Sequence, residues 1–230
     1  MTRRKVLCVV FIVTFMVLGP SLVSACSFFG VTTNGRIIGT YGLEVQFAGN
    51  TDDCFVLDNT AAAESTYSVR FMIKNELTAL TDAHTIFRAQ GTGGATTVFQ
   101  VVLRKAHTGV DYLFVYAFRD NNTRSRVLLA ITPATKQQYY KIDWQAATSS
   151  GANDGFLRIL KADVAGNWNC LKEVINIDND TKVVDQAYLG SYAGVDFDTA
   201  GWISFDEFSS FRTIENLSPS CQSTFDDLAP

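Results

Sequence analysis

The sequence predicts an all-β sandwich or barrel, and three observations carry that prediction. Apolar residues recur every second position in one segment after another, polar turn signals separate these segments at intervals of about 8 to 12 residues, and helical periodicity is almost absent. The clearest strand is 67–74, where Tyr67, Val69, Phe71 and Ile73 share one face while Ser68, Arg70, Met72 and Lys74 share the other. Shorter strands are read at 54–57, 85–88 and 98–104. Gly91-Thr92-Gly93-Gly94 joins the last two as a hairpin connector, because no strand-to-helix transition surrounds these glycines as a phosphate loop requires. Residues 112–118 are apolar on both faces, which predicts a strand in the middle of a sheet and covered on both sides. Asp120-Asn121-Asn122-Thr123 then turns the chain into 126–131. From Tyr139 to Arg212 the pattern repeats: YYKIDWQ, GFLRIL, the INIDNDTKVVDQAYLG stretch and GWISFDEFSSFR each alternate, with polar turns between them. Short helical turns are expected only near 76–82 and 145–149.

The amino terminus reads as a targeting segment. Arg3, Arg4 and Lys5 lead an apolar run over 6–18, Gly19 and Pro20 break it, and Ser24 and Ala25 suit cleavage by a signal peptidase. The run is too short to cross a bilayer as a helix. The expected organisation is a signal peptide over 1–25, a leader over 26–38, a sandwich over 39–213 and a tail over 214–230, in a protein that is secreted or anchored at the surface. Val23-Ser24-Ala25-Cys26 also matches a bacterial lipobox, in which Cys26 is acylated and supplies a membrane anchor. Parity favours the soluble form: Cys26, Cys54, Cys170 and Cys221 make an even set suited to two disulfides in an oxidising compartment.

Charge narrows the partners. The chain has 19 basic and 23 acidic residues; without the three basic residues of the leader the balance is 16 against 23, a net of −7. An acidic surface with no basic run along the sequence argues against nucleic acid as a partner. About 205 residues after the leader, in a chain with only four prolines and no Ser- or Gly-rich linker, fit one domain with a sizeable core.

The order of segments over 139–212 resembles the second half of laminin-G-like, or concanavalin-A-like, jelly-roll domains. Such domains end in a turn glycine, an aliphatic strand and an Asp-Glu pair followed by apolar residues and an arginine, here Gly201, Ile203, Asp206, Glu207, Phe208 and Arg212. The likeness extends over 36–212. Gly39 to Phe47 is similar to the family's opening strand, and Tyr67-Ser68-Val69-Arg70-Phe71 to an early core strand. Tyr140 to Trp144 followed by Gly151 to Gly155, and Ile177-Asp178-Asn179 with Val184-Asp185 and Leu189-Gly190, resemble a variant found in uncharacterised bacterial members. The resemblance implies a two-sheet antiparallel jelly-roll sandwich with no catalytic motif. Its strand order brings the two ends of the domain together, which implies Cys26 paired with Cys221 and Cys54 with Cys170. The cysteines themselves and the tail after Arg212 depart from the family pattern.

Few constellations carry chemistry. Asp206 and Glu207 are adjacent on a strand, so they point to opposite faces and do not jointly flank a bond; a hydrogen-bonding role fixing a neighbouring turn explains them. No E-x-D-x-x-E run is present, so a glycosidase would need carboxylates from separate strands. His84 and His107 lack a nucleophile motif and a second histidine at metal-ligand spacing, and are expected at the surface. Calcium, which takes hard oxygen ligands from loops, suits Asp178, Asn179 and Asp180 in one turn and Asp196 with Asp198 in another. Trp168 and Tyr192 lie in turn-like surroundings and are the candidate sugar-stacking platforms, whereas Trp144 and Trp202 are expected in the core. Asn121, Asn179 and Asn216 each begin a glycosylation sequon.

Three functions remain in view: a non-catalytic module binding an extracellular glycan or a protein partner, a polysaccharide-acting hydrolase or lyase, and a structural or adhesive surface protein. The first accounts for the residues best.

Overall fold

A computed structural model describes residues 28–48, 53–80, 83–105, 111–131, 137–193, 198–214 and 221. The strands run β1 (Phe28–Thr32), β2 (Gly42–Ala48), β3 (Cys54–Asp58), β4 (Thr66–Ala79), β5 (His84–Gln90), β6 (Thr97–Lys105), β7 (Asp111–Phe118), β8 (Arg124–Ile131), β9 (Gln137–Gln145), β10 (Gly155–Ala162), β11 (Trp168–Ile177), β12 (Gln186–Ala193) and β13 (Ala200–Phe211). Among the described residues a single 3-10 turn forms, Thr92–Gly94, in the connector between β5 and β6. Two antiparallel sheets result, a seven-stranded one ordered β1-β2-β13-β4-β9-β10-β11 and a six-stranded one ordered β3-β12-β5-β6-β7-β8. This is an all-β, two-sheet jelly-roll sandwich: the alternation predicts a sandwich or barrel, and the family resemblance implies the jelly roll.

The period-two pattern explains why the sheets stack. On β4, Tyr67, Val69, Phe71 and Ile73 are all buried, and on β9 the same holds for Tyr140, Ile142 and Trp144. Across the gap they meet Phe87 and Phe99, and an aromatic spine runs through the centre: Phe205 to Phe71 at 6.2 Å, Phe71 to Phe87 at 6.1 Å, Phe87 to Phe99 at 5.5 Å and Phe99 to Trp144 at 6.3 Å between ring centroids. Each such ring, fully buried, contributes about 2 to 3 kcal/mol. Edge β11 lies against edge β8, so the opposite edges, β1 and β3, occupy the other side of the sandwich.

Several local expectations are corrected. Strand β1 falls within the segment read as leader and pairs with β2 from Phe28↔Gln46 to Thr32↔Gly42, so the sheet begins before residue 39. No helical turn forms at 76–79, where β4 continues to pair with β13 through Ala79. Strand β7 is covered on one face only. Leu113, Val115 and Ala117 are buried, but Tyr112, Phe114, Tyr116 and Phe118 remain half-exposed on the outside, which amphipathic arginines from β8 partly cover. His84 is fully buried rather than superficial, its Nε2 2.8 Å from Thr199 Oγ1 and its ring edge-on to Phe47. Trp144 is core as expected; Trp202 is 37% exposed, with its indole N–H donating to Glu76 Oε2 at 2.6 Å.

Gly190 marks one place where the backbone demands glycine. Its φ is +136°, and a Cβ there would strike the Cys54 carbonyl and lie 2.8 Å from Phe55 Cα. That close approach accompanies the register shift between Leu189 and Ala193 in the β12–β5 pairing.

Candidate functional site

Outward side chains of the seven-stranded sheet form a grid because its strands are in register. One row runs Ser209, Arg70, Lys141, Leu160 and Cys170; the next runs Phe211, Ser68, Asp143, Arg158 and Glu173. Charges in the grid largely neutralise one another. Lys141 Nζ is 3.4 Å from Asp143, Arg158 is 2.7 Å from Glu173, and Ser68 Oγ donates to Asp143 at 2.6 Å. At the opposite end of the grid Tyr139, opposite Met72, meets Trp168 at the start of β11, their ring centroids 4.8 Å apart and tilted by 60°. Arg70 donates through Nε to Ser209 Oγ at 2.7 Å and stacks 4.9 Å from the Phe211 ring. Burial pushes the Tyr139 phenol up, the Arg70 charge pulls it down, and the Glu207 charge pushes it up again. Register sets Arg70 diagonally across from Tyr139, with the β13 segment that carries Glu207 on the far side of β4. Tyr139, Trp168, Arg70 and Glu207 thus share one corner of the outward face.

Glu207 reaches this corner through a bulge. It sits at φ 51°, where β13 slips register against β4 between Asp206 and Ser209. Asp206 stabilises that bulge as the expected hydrogen-bonding residue: its carboxylate accepts from the Glu207 N–H at 2.8 Å and from the Ile37 and Ile38 N–H groups at 2.9 Å each.

The disulfide pairing differs from the one expected. Cys170 bonds to Cys221, with Cα atoms 5.1 Å apart. Pairing Cys54 with Cys170 is impossible for a topological reason. Cys54 lies on β3 and Cys170 on β11, edge strands on opposite sides of the sandwich, roughly 29 Å apart across the width of a sheet. Cys54 is itself disulfide-bonded, and Cys26 lies outside the described residues.

A second cluster forms at the rim. Asp178 and Asp180, in the turn between β11 and β12, are joined by Asp120 from the turn between β7 and β8, with carboxylate oxygens all within 4.8 Å of one another. Asp120 accepts from the Thr181 N–H at 3.2 Å and its hydroxyl at 2.5 Å, and its own N–H donates to the Asp178 carbonyl at 3.0 Å. Partial removal from water pushes the Asp180 carboxyl above its usual range, and the neighbouring Asp120 and Asp178 charges push it further. Asn179 is not part of this set. It is fully buried, its Oδ1 accepting from the Ala147 N–H at 2.8 Å and its amide donating to the Gln145 carbonyl at 3.3 Å, so it is neither a ligand nor an accessible glycosylation site. Asp198 is exposed beside the start of β13, away from the cluster, and Asp196 lies outside the described residues. Asp120 was not singled out beforehand. Only its place in an Asx-rich turn hints at it, because its partners are some 60 residues away in sequence.

Tyr192 and Trp168 do not form one site. Tyr192 lies on the outer face of the six-stranded sheet, packed on Tyr188 at 4.6 Å and Phe55 at 5.4 Å beneath the Arg88 guanidinium at 4.9 Å. Trp168 is on the opposite outer face of the molecule, and it begins a strand rather than lying in the turn its neighbours suggest.

The strand order and the packing of the two sheets define the class: a two-sheet antiparallel jelly-roll β-sandwich. No family model and no curated protein matches the chain. Among solved structures, it is similar to a functionally unknown protein from Saccharomyces cerevisiae, at 11% identity over 76% of this chain and 89% of that one, with a TM-score of 0.49. A legume lectin-like domain from Entamoeba histolytica is similar at 8% identity over 80% of this chain and 89% of that one, TM-score 0.49. An alginate lyase from Alteromonas sp. 272 is similar at 13% identity over 80% and 94%, TM-score 0.47. At these identities a likeness concerns backbone course and says nothing of chemistry.

Proposed function

We propose that this protein is a secreted, non-catalytic binding module of laminin-G-like type that recognises an extracellular glycan through the Trp168 corner of its seven-stranded sheet. The observation that carries this reading is the Tyr139–Trp168 pair on an outward face beside Arg70 and Glu207. Two tilted rings offer apolar planes to a pyranose, and the guanidinium and carboxylate beside them suit its hydroxyls. The apolar leader and the Cys170–Cys221 bond support export to an oxidising compartment.

Calcium belongs to the same proposal. Three carboxylates crowded at the rim repel one another, and a divalent cation relieves that repulsion with the oxygen ligands it prefers. The test is a glycan array read with calcium and with chelator, using the mature protein and its Trp168→Ala and Asp178→Asn variants. Binding that disappears in Trp168→Ala supports the site. A calcium-dependent rise in melting temperature that Asp178→Asn abolishes supports the rim. An array with no hits, or hits that survive both Trp168→Ala and Tyr139→Ala, would overturn the proposal. Shortening of a polysaccharide during the assay would replace it with a lyase or hydrolase.

A further inference from the structure

The outer face of the six-stranded sheet differs from the grid described above in one respect: its charges are not neutralised. The basic residues of its six strands are Arg88, Arg104, Lys105, Arg124 and Arg126, and the acidic ones are Asp58 and Asp111, both at strand ends. Both acids turn to the other sheet, Asp58 to Tyr67, Ser210 and Arg212, and Asp111 to Asn75 at 2.7 Å. Among the described residues none of the four arginines forms an ion pair. In a chain with a net charge of −4 this face is an uncompensated cationic surface.

The arginines are held in place by aromatic rings. Arg124 lies 4.5 Å from the Tyr116 centroid, Arg126 5.5 Å from Phe114 and Arg88 4.9 Å from Tyr192; Arg88 also donates to Thr97 Oγ1. A guanidinium laid on a ring keeps its planar fork oriented and weakly hydrated, so Arg124 and Arg126 are ready for two parallel hydrogen bonds to an oxyanion, whereas Arg88, held through Nε and Nη2 by Gln90 and Thr97, offers Nη1. Register then lines these groups up. Tyr188 is opposite Arg88, Arg88 opposite Gln100, Gln100 opposite Tyr116 and Tyr116 opposite Arg126, a row crossing from β12 to β8. Four inter-strand steps make this track roughly 19 Å long.

We infer that this row is a docking track for an anionic polysaccharide, independent of the Trp168 corner on the other sheet. Cation, amide and ring alternate along it, which matches a polymer whose sulfates or carboxylates alternate with hydroxylated rings. A nucleic-acid backbone calls for a continuous cationic stripe with free stacking faces, and here arginines already occupy the faces. An acidic polypeptide has no hydroxylated ring for Gln100 and the tyrosine hydroxyls.

The experiment measures binding of the mature protein to dextran sulfate and polygalacturonate, with neutral dextran and poly-glutamate as controls, at two salt concentrations. At least one anionic polysaccharide is expected to bind, more weakly at high salt, while neutral dextran and poly-glutamate do not. Arg88→Ser and Arg126→Ser should each weaken binding about tenfold or more, and Arg126→Lys should recover less than half of that loss. Trp168→Ala should leave this binding unchanged, which separates a failure here from a failure of the glycan site on the other face. Absence of binding to both polyanions, retention in the Arg88→Ser/Arg126→Ser double variant, or poly-glutamate binding as tightly as the polysaccharides would overturn the inference.

Discussion

Asp58 illustrates how much one side chain does in this fold. Its carboxylate accepts from the Thr60 N–H and hydroxyl at 3.0 and 2.5 Å, from Tyr67 at 3.2 Å, from Ser210 at 2.8 Å and from Arg212 at 3.4 Å, so it ties the end of β3 to β4 and β13 of the other sheet. Burial pushes this carboxyl up, but the Thr60 and Ser210 hydrogen bonds and the Arg212 charge outweigh it and hold the group below the usual carboxylate range. With the folded value depressed, the stabilisation is present above the unfolded value of about 3.9 and is lost as pH falls through the folded one. Asp58→Asn should therefore destabilise the protein by about 1 to 3 kcal/mol at pH 7, and by less as the wild type is acidified. Urea midpoints at neutral and acidic pH check both statements; equal midpoints at pH 7 would discard the clamp. The sequence offers no hint of the link to β13, because Ser210 and Arg212 come from 152 and 154 residues away. Asp206, expected to serve a neighbouring turn, does hold the adjacent Glu207 N–H, but its other donors, the Ile37 and Ile38 N–H groups, are just as remote in sequence.

At the scale of elements, β11 and the tail form a unit that no periodicity announces. The Cys170–Cys221 bond closes a stretch of 51 residues that includes β12 and β13. Chain-entropy reasoning gives such a crosslink about 4 kcal/mol, and measured bonds more often deliver about 2 to 4. Cys170→Ser should lower the melting temperature, and adding reductant to that variant should lower it less than adding reductant to the wild type. A variant melting with the wild type would mean that the bond adds nothing to the folded state. Parity of the four cysteines predicts disulfides, but partner choice depends on which sheet edges face each other, and that is a property of strand order. Strand β7 makes the same point. Its apolar outer positions suggest a covered face, yet arginines from β8 lie over them, a pairing that only register reveals.

For the whole molecule, the decisive feature is that the last strand is central. β13 lies between β2 and β4, pairing with β2 through Phe205↔Leu43 and with β4 through Phe211↔Ser68, and it delivers Phe205 to the aromatic spine. Removing everything after residue 199 should split the seven-stranded sheet, leaving β2 paired only with β1 and β4 only with β9, and prevent folding altogether rather than lower stability by an increment. Far-UV circular dichroism and near-UV tyrosine and tryptophan signals of the truncated chain test this; a cooperative melt would refute it. The same topology makes folding non-local, so refolding is expected on the millisecond-to-second scale typical of sandwiches.

Alternation along each strand is written into neighbouring residues, so the sequence by itself determined the all-β class, most of the strands and the inward face of strands such as β4. Strand order, register and the facing of edges arise only when distant segments meet. Those decided that Trp168 and Tyr192 stand on opposite faces, that Asp120 completes the rim cluster while Asn179 turns inward, and that Cys221 finds Cys170. The physical reason is range: pleating acts between adjacent residues, whereas a site is assembled by strands whose proximity no local pattern encodes.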